Sequence, residues 1–259
     1  MANWVKNKMA VEFKSKVEMD HFLEQVQDRD RVFSLNACCP MPESLRICSP
    51  NDLELTYTIC KAYRSASEMP HAVVVWLEAF GEEMLEILRR AKNKANQLPM
   101  RNSHTAEDGK EIGSKEWILQ GNVATSREEF LILGGIALEN LIRYGSTDWY
   151  RWANQNWGCK WDTCNAKVER TSDVTAEIVF NTPWSTPLQG IIAVSEKFPN
   201  AVIDVRYADE DLGYNCGWYT LESGECVENS AFPLGGDDAF DYSCEIWNYD
   251  PAEMREEMR

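Results

Sequence analysis

Carboxylate side chains are concentrated at the C-terminal end of this chain. Between Asp204 and Arg259 there are fifteen acidic residues and three basic ones, which accounts for −12 of a total net charge of −16. Carboxylates held on a rigid surface can imitate the phosphates of a nucleic acid and occupy a basic groove on another protein. Such an association is steered by charge and weakened by salt. The charge pattern therefore predicts an acidic partner-binding surface, although a merely solubilising acidic segment would have the same composition.

Aromatic residues interleave with these acids. Tyr242, Trp247 and Tyr249 fall among them, and aromatic side chains carry much of the binding energy at protein interfaces. The residues predicted to bind a partner carry either a carboxylate or an aromatic ring: Asp209, Glu210, Asp211, Asp237, Asp238, Asp241, Glu245, Trp247, Tyr249 and Asp250.

The cysteines, the histidines and the acids at 209–211 give weaker evidence of a metal site or an active site. Cys159 and Cys164 have a spacing at the loose end of that found in structural zinc sites, which also need a second cysteine pair or histidines. The three histidines are far apart in the sequence, and a nucleophilic cysteine would need a base nearby. The acids at 209–211 could hold Mg²⁺, but consecutive carboxylates in a turn are mostly only solvated. Phosphate-loop, GxSxG, HExxH and calcium-loop patterns do not occur. We therefore expect no catalytic residues, no metal and no cofactor, in a protein that is not an enzyme.

A basic stretch offers a different function. Residues 89–101 contain five basic side chains and no acidic one, within a predicted basic helix at 86–101. Lysines and arginines on one helix face can contact phosphates. The same cations also suit the C-terminal end of a helix, because the helix dipole favours positive charge there. The alternative function is therefore a nucleic-acid-binding regulator that uses this helix.

Composition is typical of a folded intracellular protein. The chain has 259 residues, of which 44% are hydrophobic, enough for one large or two small domains. It contains no apolar run close to eighteen residues, and its polar start lacks the pattern of a signal peptide. Nine irregularly spaced cysteines and the lack of Asn-x-Ser/Thr sequences favour free thiols in a reducing cytoplasm.

The elements that position these residues follow from hydrophobic periodicity. Strands at 8–13 and 31–36 are predicted on either side of a helix at 17–26. The helices predicted in the middle of the chain are 52–65, 71–97 and 127–143, with a mobile loop at 101–115. The strands predicted in the second half are 167–171, 175–181, 201–207, 214–221 and a short one after Gly224. A helix should begin at Pro187, and an acidic helix after Asp237 should be divided by Pro251. This order favours a small antiparallel sheet covered by helices.

A block rich in tryptophan separates the two halves. The segment 149–166, WYRWANQNWGCKWDTCNA, holds four of the ten tryptophans. It predicts a short helix capped by Ser146 or Thr147 and ended by Gly158 with a positive φ, followed by extended chain. Such aromatics usually form part of a core, so the block indicates a fold more than a reaction.

Several motifs resemble those of a known family. They are MANW at the start, FSLN at 33–36, PMPE at 40–43, NWGCKWDTCNA from Asn156, FNTPW at 180–184, Pro187, Phe198-Pro199, YADED at 207–211 and Gly213. In this order they resemble the YubB-like proteins of plasmids and bacteriophages, whereas residues 44–145 match weakly. The resemblance implies a ferredoxin-like fold in an accessory protein of a mobile element that works in the cytoplasm of a bacterial host.

Together these observations predict an α+β protein with a ferredoxin-like sandwich and a helical insertion. The core is expected as two ferredoxin-like halves at 1–42 and 146–230, joined by the helical insertion 43–145 and followed by an acidic C-terminal segment 231–259. The leading function is a non-enzymatic phage or plasmid protein that binds and inhibits a host defence protein or ribonucleoprotein, such as a CRISPR effector. No membrane association is expected, and direct nucleic-acid binding is not favoured because the acidic portion repels phosphates.

Overall fold

The computed structural model describes residues 3–28, 31–46, 136–137 and 139–257. By its internal contacts the chain divides into two compact units, one made of residues 1–40 and 153–259 and the other of residues 41–152. The helices predicted at 52–65 and 71–97, the loop at 101–115 and the basic stretch at 86–101 lie outside the described residues. Of the helix predicted at 127–143, residues 136–137 and 139–143 are described and are helical.

The first unit is built on one antiparallel sheet. Its strands are β1 (Trp4–Glu12), β2 (Cys164–Arg170), β3 (Thr175–Pro183), β4 (Val202–Asp209), β5 (Cys216–Glu222) and β6 (Glu225–Ala231). Helices of the described residues include α1 (Lys16–Gln25), α2 (Leu35–Cys38), α3 (Trp149–Asn156), α4 (Leu188–Lys197), α5 (Asp237–Trp247) and α6 (Pro251–Glu257). In the second unit a 3₁₀ turn covers Glu43–Leu45.

The sheet confirms the α+β, ferredoxin-like fold. Its strand order is β2-β3-β1-β4-β5-β6, and each neighbouring pair is antiparallel. The chain order β1-α1-β2-β3-α4-β4 with the spatial order β2-β3-β1-β4 is the ferredoxin-like arrangement. Because β1 lies between β3 and β4, the N-terminal and C-terminal segments share one sheet instead of forming two separate halves. The hairpin β5-β6 and the helices α5 and α6 extend this unit.

One face of the sheet carries the main core, since side chains alternate between the two faces of a strand. Val5, Met9 and Val11 of β1 are buried, as are Ile178 of β3 and Val205 of β4. The helices α1 and α4 cover this face, as the right-handed crossovers of the fold require. Met19 and Phe22 of α1 and Ile191 and Val194 of α4 are also buried, and each adds about 1.5–3 kcal/mol relative to exposure.

Helix α5 packs on part of the opposite face. Ala208 of β4 and Cys216 of β5 form a second buried cluster with Ala239 and Ile246 of α5. Ser15 is the N-cap of α1, and its hydroxyl oxygen accepts a hydrogen bond from the Glu18 amide.

The tryptophan block begins with a helix, as predicted, and the side chains of Trp152 and Trp157 are buried. Helix α3 ends before Gly158, which has φ +80°. The cap differs from the prediction, because the Asp148 carboxylate, not Ser146 or Thr147, accepts hydrogen bonds from the amides of Tyr150 and Arg151 at 2.9 and 3.1 Å. A carboxylate is the stronger acceptor for these unpaired helical amides, and it also favours the positive end of the helix dipole.

The strand predicted at 31–36 is wrong. Arg31 forms only an isolated bridge with Asp28, and the short helix α2 begins at Leu35. Buried Asp162 determines this conformation, since its carboxylate accepts hydrogen bonds from the Ser34 hydroxyl at 2.6 Å and the Leu35 amide at 2.7 Å. The Ser34 hydroxyl and the Leu35 amide therefore donate their hydrogen bonds to a distant residue, and no neighbouring strand is needed to accept them.

Candidate functional site

The acidic residues of α5 lie on its exposed face. Asp237, Asp241 and Glu245 recur every four residues, about 6 Å apart along the helix axis, with Asp238 beside them. Their exposed side-chain fractions are 95%, 50% and 69% for Asp237, Asp241 and Glu245. Within residues 237–257 there are eight acidic residues and one arginine. We call the four exposed carboxylates Asp237, Asp238, Asp241 and Glu245 the acidic face.

Helix α5 is held firmly on the sheet from its other side. The Trp247 indole Nε1 donates to the backbone oxygens of Ala208 and Asp209, at 3.2 and 3.0 Å. The Tyr242 hydroxyl donates to the Gly217 oxygen at 2.8 Å, and the Gly213 amide donates to the Ser243 hydroxyl at 3.1 Å. The acidic face therefore has a fixed position relative to the sheet.

Two arginines offset part of this charge. Arg255 of α6 lies 2.7 Å from Asp241 and 3.7 Å from Asp237, and Arg206 of β4 lies 4.0 Å from Glu245. Such exposed ion pairs contribute about 0–1 kcal/mol, so a partner can displace them at little cost. Asp250 has a different role, since its carboxylate accepts hydrogen bonds from the amides of Ala252 and Glu253 and caps α6.

The acids at 209–211 do not share one role. Asp209 is buried, and its carboxylate accepts hydrogen bonds from the Asp211 amide at 2.9 Å and from the Asn215 side chain at 3.4 Å. Asp209 is therefore not exposed to a partner, because its oxygens hold the turn after β4. Glu210 is exposed but accepts a hydrogen bond from the Trp4 amide at 3.1 Å, and Asp211 is exposed.

The aromatic residues predicted as anchors are only partly available. Trp247 is half-buried and uses its indole N–H within the fold. Tyr249 is 45% exposed and stacks on Trp247, with the ring centroids 6.2 Å apart. Tyr249 is therefore the aromatic ring of this pair that a partner can reach.

A basic groove on the sheet face opposite the main core was not predicted from the sequence. It has a volume of about 720 Å³ and is lined by Lys6, Lys8, Asn165, Lys167, Val168, Glu169, Glu177, Val179, Asn181 and Asn248. We call this the lysine groove. Burial lowers the pKa of Lys6, and the neighbouring ammonium groups of Lys8 and Lys167 lower it further. The usable sequence signal was the alternation of Lys6 and Lys8, which puts both side chains on one face of a strand.

The cysteines of the tryptophan block are packed within the fold. Burial raises the pKa of the Cys159 thiol, whose sulfur donates to the Trp161 backbone oxygen at 3.2 Å. Burial also raises the pKa of Cys164 and Cys216. Across the described part of the chain no group of three or more His, Cys, Asp or Glu is arranged to hold a metal ion. A helix long and apolar enough to cross a bilayer does not occur among the described residues either.

Three comparisons with known proteins show what this chain is similar to. A crystal structure of the protein api92 from Yersinia pseudotuberculosis is 12% identical, with a TM-score of 0.43 over 91% of this chain and 100% of that one. The uncharacterized protein YubB of Escherichia coli (strain K12) is 31% identical over 81 residues, which are 30% of this chain. The chain spans about half, 54%, of the length of this relative. Residues 157–250 match the family model described as a ferredoxin-like domain in Api92-like protein. Residues 157–250 are therefore similar to this ferredoxin-like domain, and part of the chain is similar to YubB.

Proposed function

We propose that this chain is a phage or plasmid accessory protein that binds and inhibits a defence complex of its bacterial host. The acidic face would contact a basic, nucleic-acid-binding surface of that complex. This contact is supported by the arrangement of Asp237, Asp241 and Glu245 in one exposed row on α5. Hydrogen bonds from Trp247 and Tyr242 hold that helix to the sheet. The genetic setting and the class of target rest on the resemblance to YubB-like proteins.

A fixed row of carboxylates suits binding better than a flexible acidic tail. A tail would lose conformational entropy on binding, at about 1–2 kcal/mol for each ordered backbone residue. Helix α5 is already ordered against Ala208 and Cys216, so this cost is avoided. The exposed Tyr249 ring lies beyond the C-terminal end of α5 and offers the apolar contact that a charged surface alone lacks.

Charge reversal on the acidic face tests this function. The variant carries Asp238→Lys, Asp241→Lys and Glu245→Lys, and its binding to a purified CRISPR effector ribonucleoprotein is measured from about 50 to 200 mM salt. We expect tight, salt-sensitive binding of the native chain and loss of binding by the variant. The matched control carries Glu222→Lys, Glu225→Lys and Glu228→Lys at the exposed β5-β6 hairpin, with the same change in net charge.

The two variants separate a local surface from overall charge. Equal loss in both would show that net charge, and not the acidic face, determines binding. Affinity that does not change with salt would also contradict the proposal. A thermal unfolding curve for each variant confirms that the fold is retained.

A further inference from the structure

The three lysines of the groove come together through strand alternation and pairing. Lys6 and Lys8 lie two positions apart on β1, so both side chains leave the same face. Lys8 and Lys167 lie on either side of Val179, because this valine pairs with Lys8 of β1 and with Lys167 of β2. The three side chains therefore stand on one sheet face, opposite the main core, with Val179 between Lys8 and Lys167.

This part of the face is open among the described residues. Helix α5 packs on the half of the face that contains Ala208 and Cys216, and it ends at Asn248, which lines the groove. The floor is Val179, and amide side chains stand around it at Asn165, Asn181 and Asn248. The volume of this groove lies within the range of small-ligand sites, and its lining offers several polar groups.

The groove concentrates positive charge in a strongly acidic chain. Among the described residues, no carboxylate lies within 4.0 Å of the Lys6 or Lys167 ammonium group. Lys8 donates to the Glu245 backbone oxygen and to the Asn248 side chain, which leaves one of its three N–H donors. The Lys6 ammonium lies 5.3 Å from the Trp247 ring, a weak attraction. Repulsion among the ammonium groups of Lys6, Lys8 and Lys167 destabilises the fold. Destabilising arrangements of this kind are expected at functional sites.

The end of the groove away from Lys6 carries negative charge. Glu169 and Glu177 face each other across β2 and β3, two positions beyond the pair Lys167 and Val179. From Asn181, which pairs with Lys6, to Glu177 the distance along β3 is about 13 Å. A ligand that fits both ends has a phosphate at the lysine end and hydrogen-bond donors, such as hydroxyl or amino groups, at the carboxylate end.

We propose that the lysine groove binds a nucleoside monophosphate, with its phosphate against Lys6 and Lys167 and its sugar or base donors toward Glu169 and Glu177. The acidic surroundings favour a ligand that ends within the groove. A longer strand passing Asn248 would meet the carboxylates of α5, which repel its phosphates. The site is separate from the acidic face, so it does not depend on the function proposed above.

Calorimetric titration of the full chain with AMP tests the proposal, with adenosine, inorganic phosphate and a five-nucleotide DNA as comparison probes. AMP should bind more tightly than adenosine or inorganic phosphate, because only AMP uses both ends of the groove. The variant Lys6→Gln with Lys167→Gln should weaken AMP binding by about tenfold or more. Lys14→Gln, which removes an exposed lysine elsewhere on the surface, should leave it unchanged. Lys8 is retained because it holds the end of α5.

Several results would overturn the proposal. They are failure of AMP to bind, AMP binding that the double lysine variant leaves intact, affinity for inorganic phosphate equal to that for AMP, and tighter binding of the DNA than of AMP. Because Lys167 is exposed on the edge strand β2, Lys167→Glu alone gives a second test that does not depend on the tolerance of β1. The charge-reversed acidic face should keep AMP binding, which distinguishes failure of this site from failure of the proposed function.

Discussion

The Ser34 hydroxyl donates a 2.6 Å hydrogen bond to the carboxylate of Asp162, 128 positions later in the sequence. The same carboxylate accepts from the backbone amides of Leu35 and Thr163, at 2.7 and 2.8 Å. Asp162 is buried within the tryptophan block, so this block joins the segment after α1 to the start of β2. A buried charge of this kind is tolerated only because several donors surround it.

Replacement of Asp162 by alanine should strongly destabilise the protein. Three buried donors would lose their acceptor, and the expected loss is about 3 kcal/mol in the free energy of unfolding. Urea denaturation followed by tryptophan fluorescence measures it. Asp173→Ala is the control, because Asp173 is 74% exposed and forms an ion pair with exposed Lys16, so its loss should stay within about 0.5 kcal/mol. Similar values for the two variants would contradict a stabilising role for Asp162.

Gly217 of β5 is expected to tolerate no side chain. A Cβ atom there would lie 2.3 Å from the Ser230 backbone oxygen and 3.0 Å from the Tyr207 hydroxyl oxygen. Gly217→Ala should therefore separate β5 from β6 and cost about 2 kcal/mol, measured as a lower midpoint of thermal unfolding. Gly236→Ala is the matched control, since its Cβ would have no neighbour closer than 3.7 Å. If both glycine variants unfold at the same temperature, the close approach of the Ser230 oxygen does not restrict the residue at position 217.

Helix α6 should open more readily than α5. It has no buried residues, and its contacts with α5 include Arg255, which lies 2.7 Å from Asp241 and 4.7 Å from the centroid of the Phe240 ring. Amide hydrogen exchange should be faster throughout α6 than in α5, and Arg255→Ala should raise the rate in α6 alone. Lys14→Ala should change neither helix. Equal protection of α5 and α6 in the native chain would contradict this prediction.

Stability should fall in alkaline solution because of Cys38. Burial raises the pKa of this thiol to about 11 from an ordinary value near 9. A folded-state pKa above the unfolded one gives a stabilisation that is complete below about pH 9 and is lost as the pH rises toward about 11. Cys38→Ala should reduce the fall in the free energy of unfolding over this range. Cys226→Ala, at an exposed thiol, should leave it unchanged, and an identical slope for native and Cys38→Ala chains would exclude this cause.

Local patterns predicted most elements of the second half of the chain. Alternation and turn residues at Pro187 and Gly224 indicated β2 to β6 and α4, and Gly158 ended α3 with the expected positive φ. These features depend on residues near each other in sequence, so periodicity is sufficient to find them. The strand predicted at 31–36 failed because Asp162, a distant residue, satisfies the Leu35 amide.

For the acidic face, the sequence determined the charge and the helix that displays it, because helical spacing fixes which carboxylates share a side. Tertiary structure decided which of the acids are available. Asp209 is buried by the turn after β4, although its neighbours Glu210 and Asp211 are exposed, and composition cannot distinguish them. Likewise the lysine groove arises from strand pairing that brings Lys167 beside β1 across Val179, a contact between residues more than 150 positions apart. Long-range pairing has no local signature in a single sequence, and for that reason only the folded sheet reveals a basic groove in a chain of net charge −16.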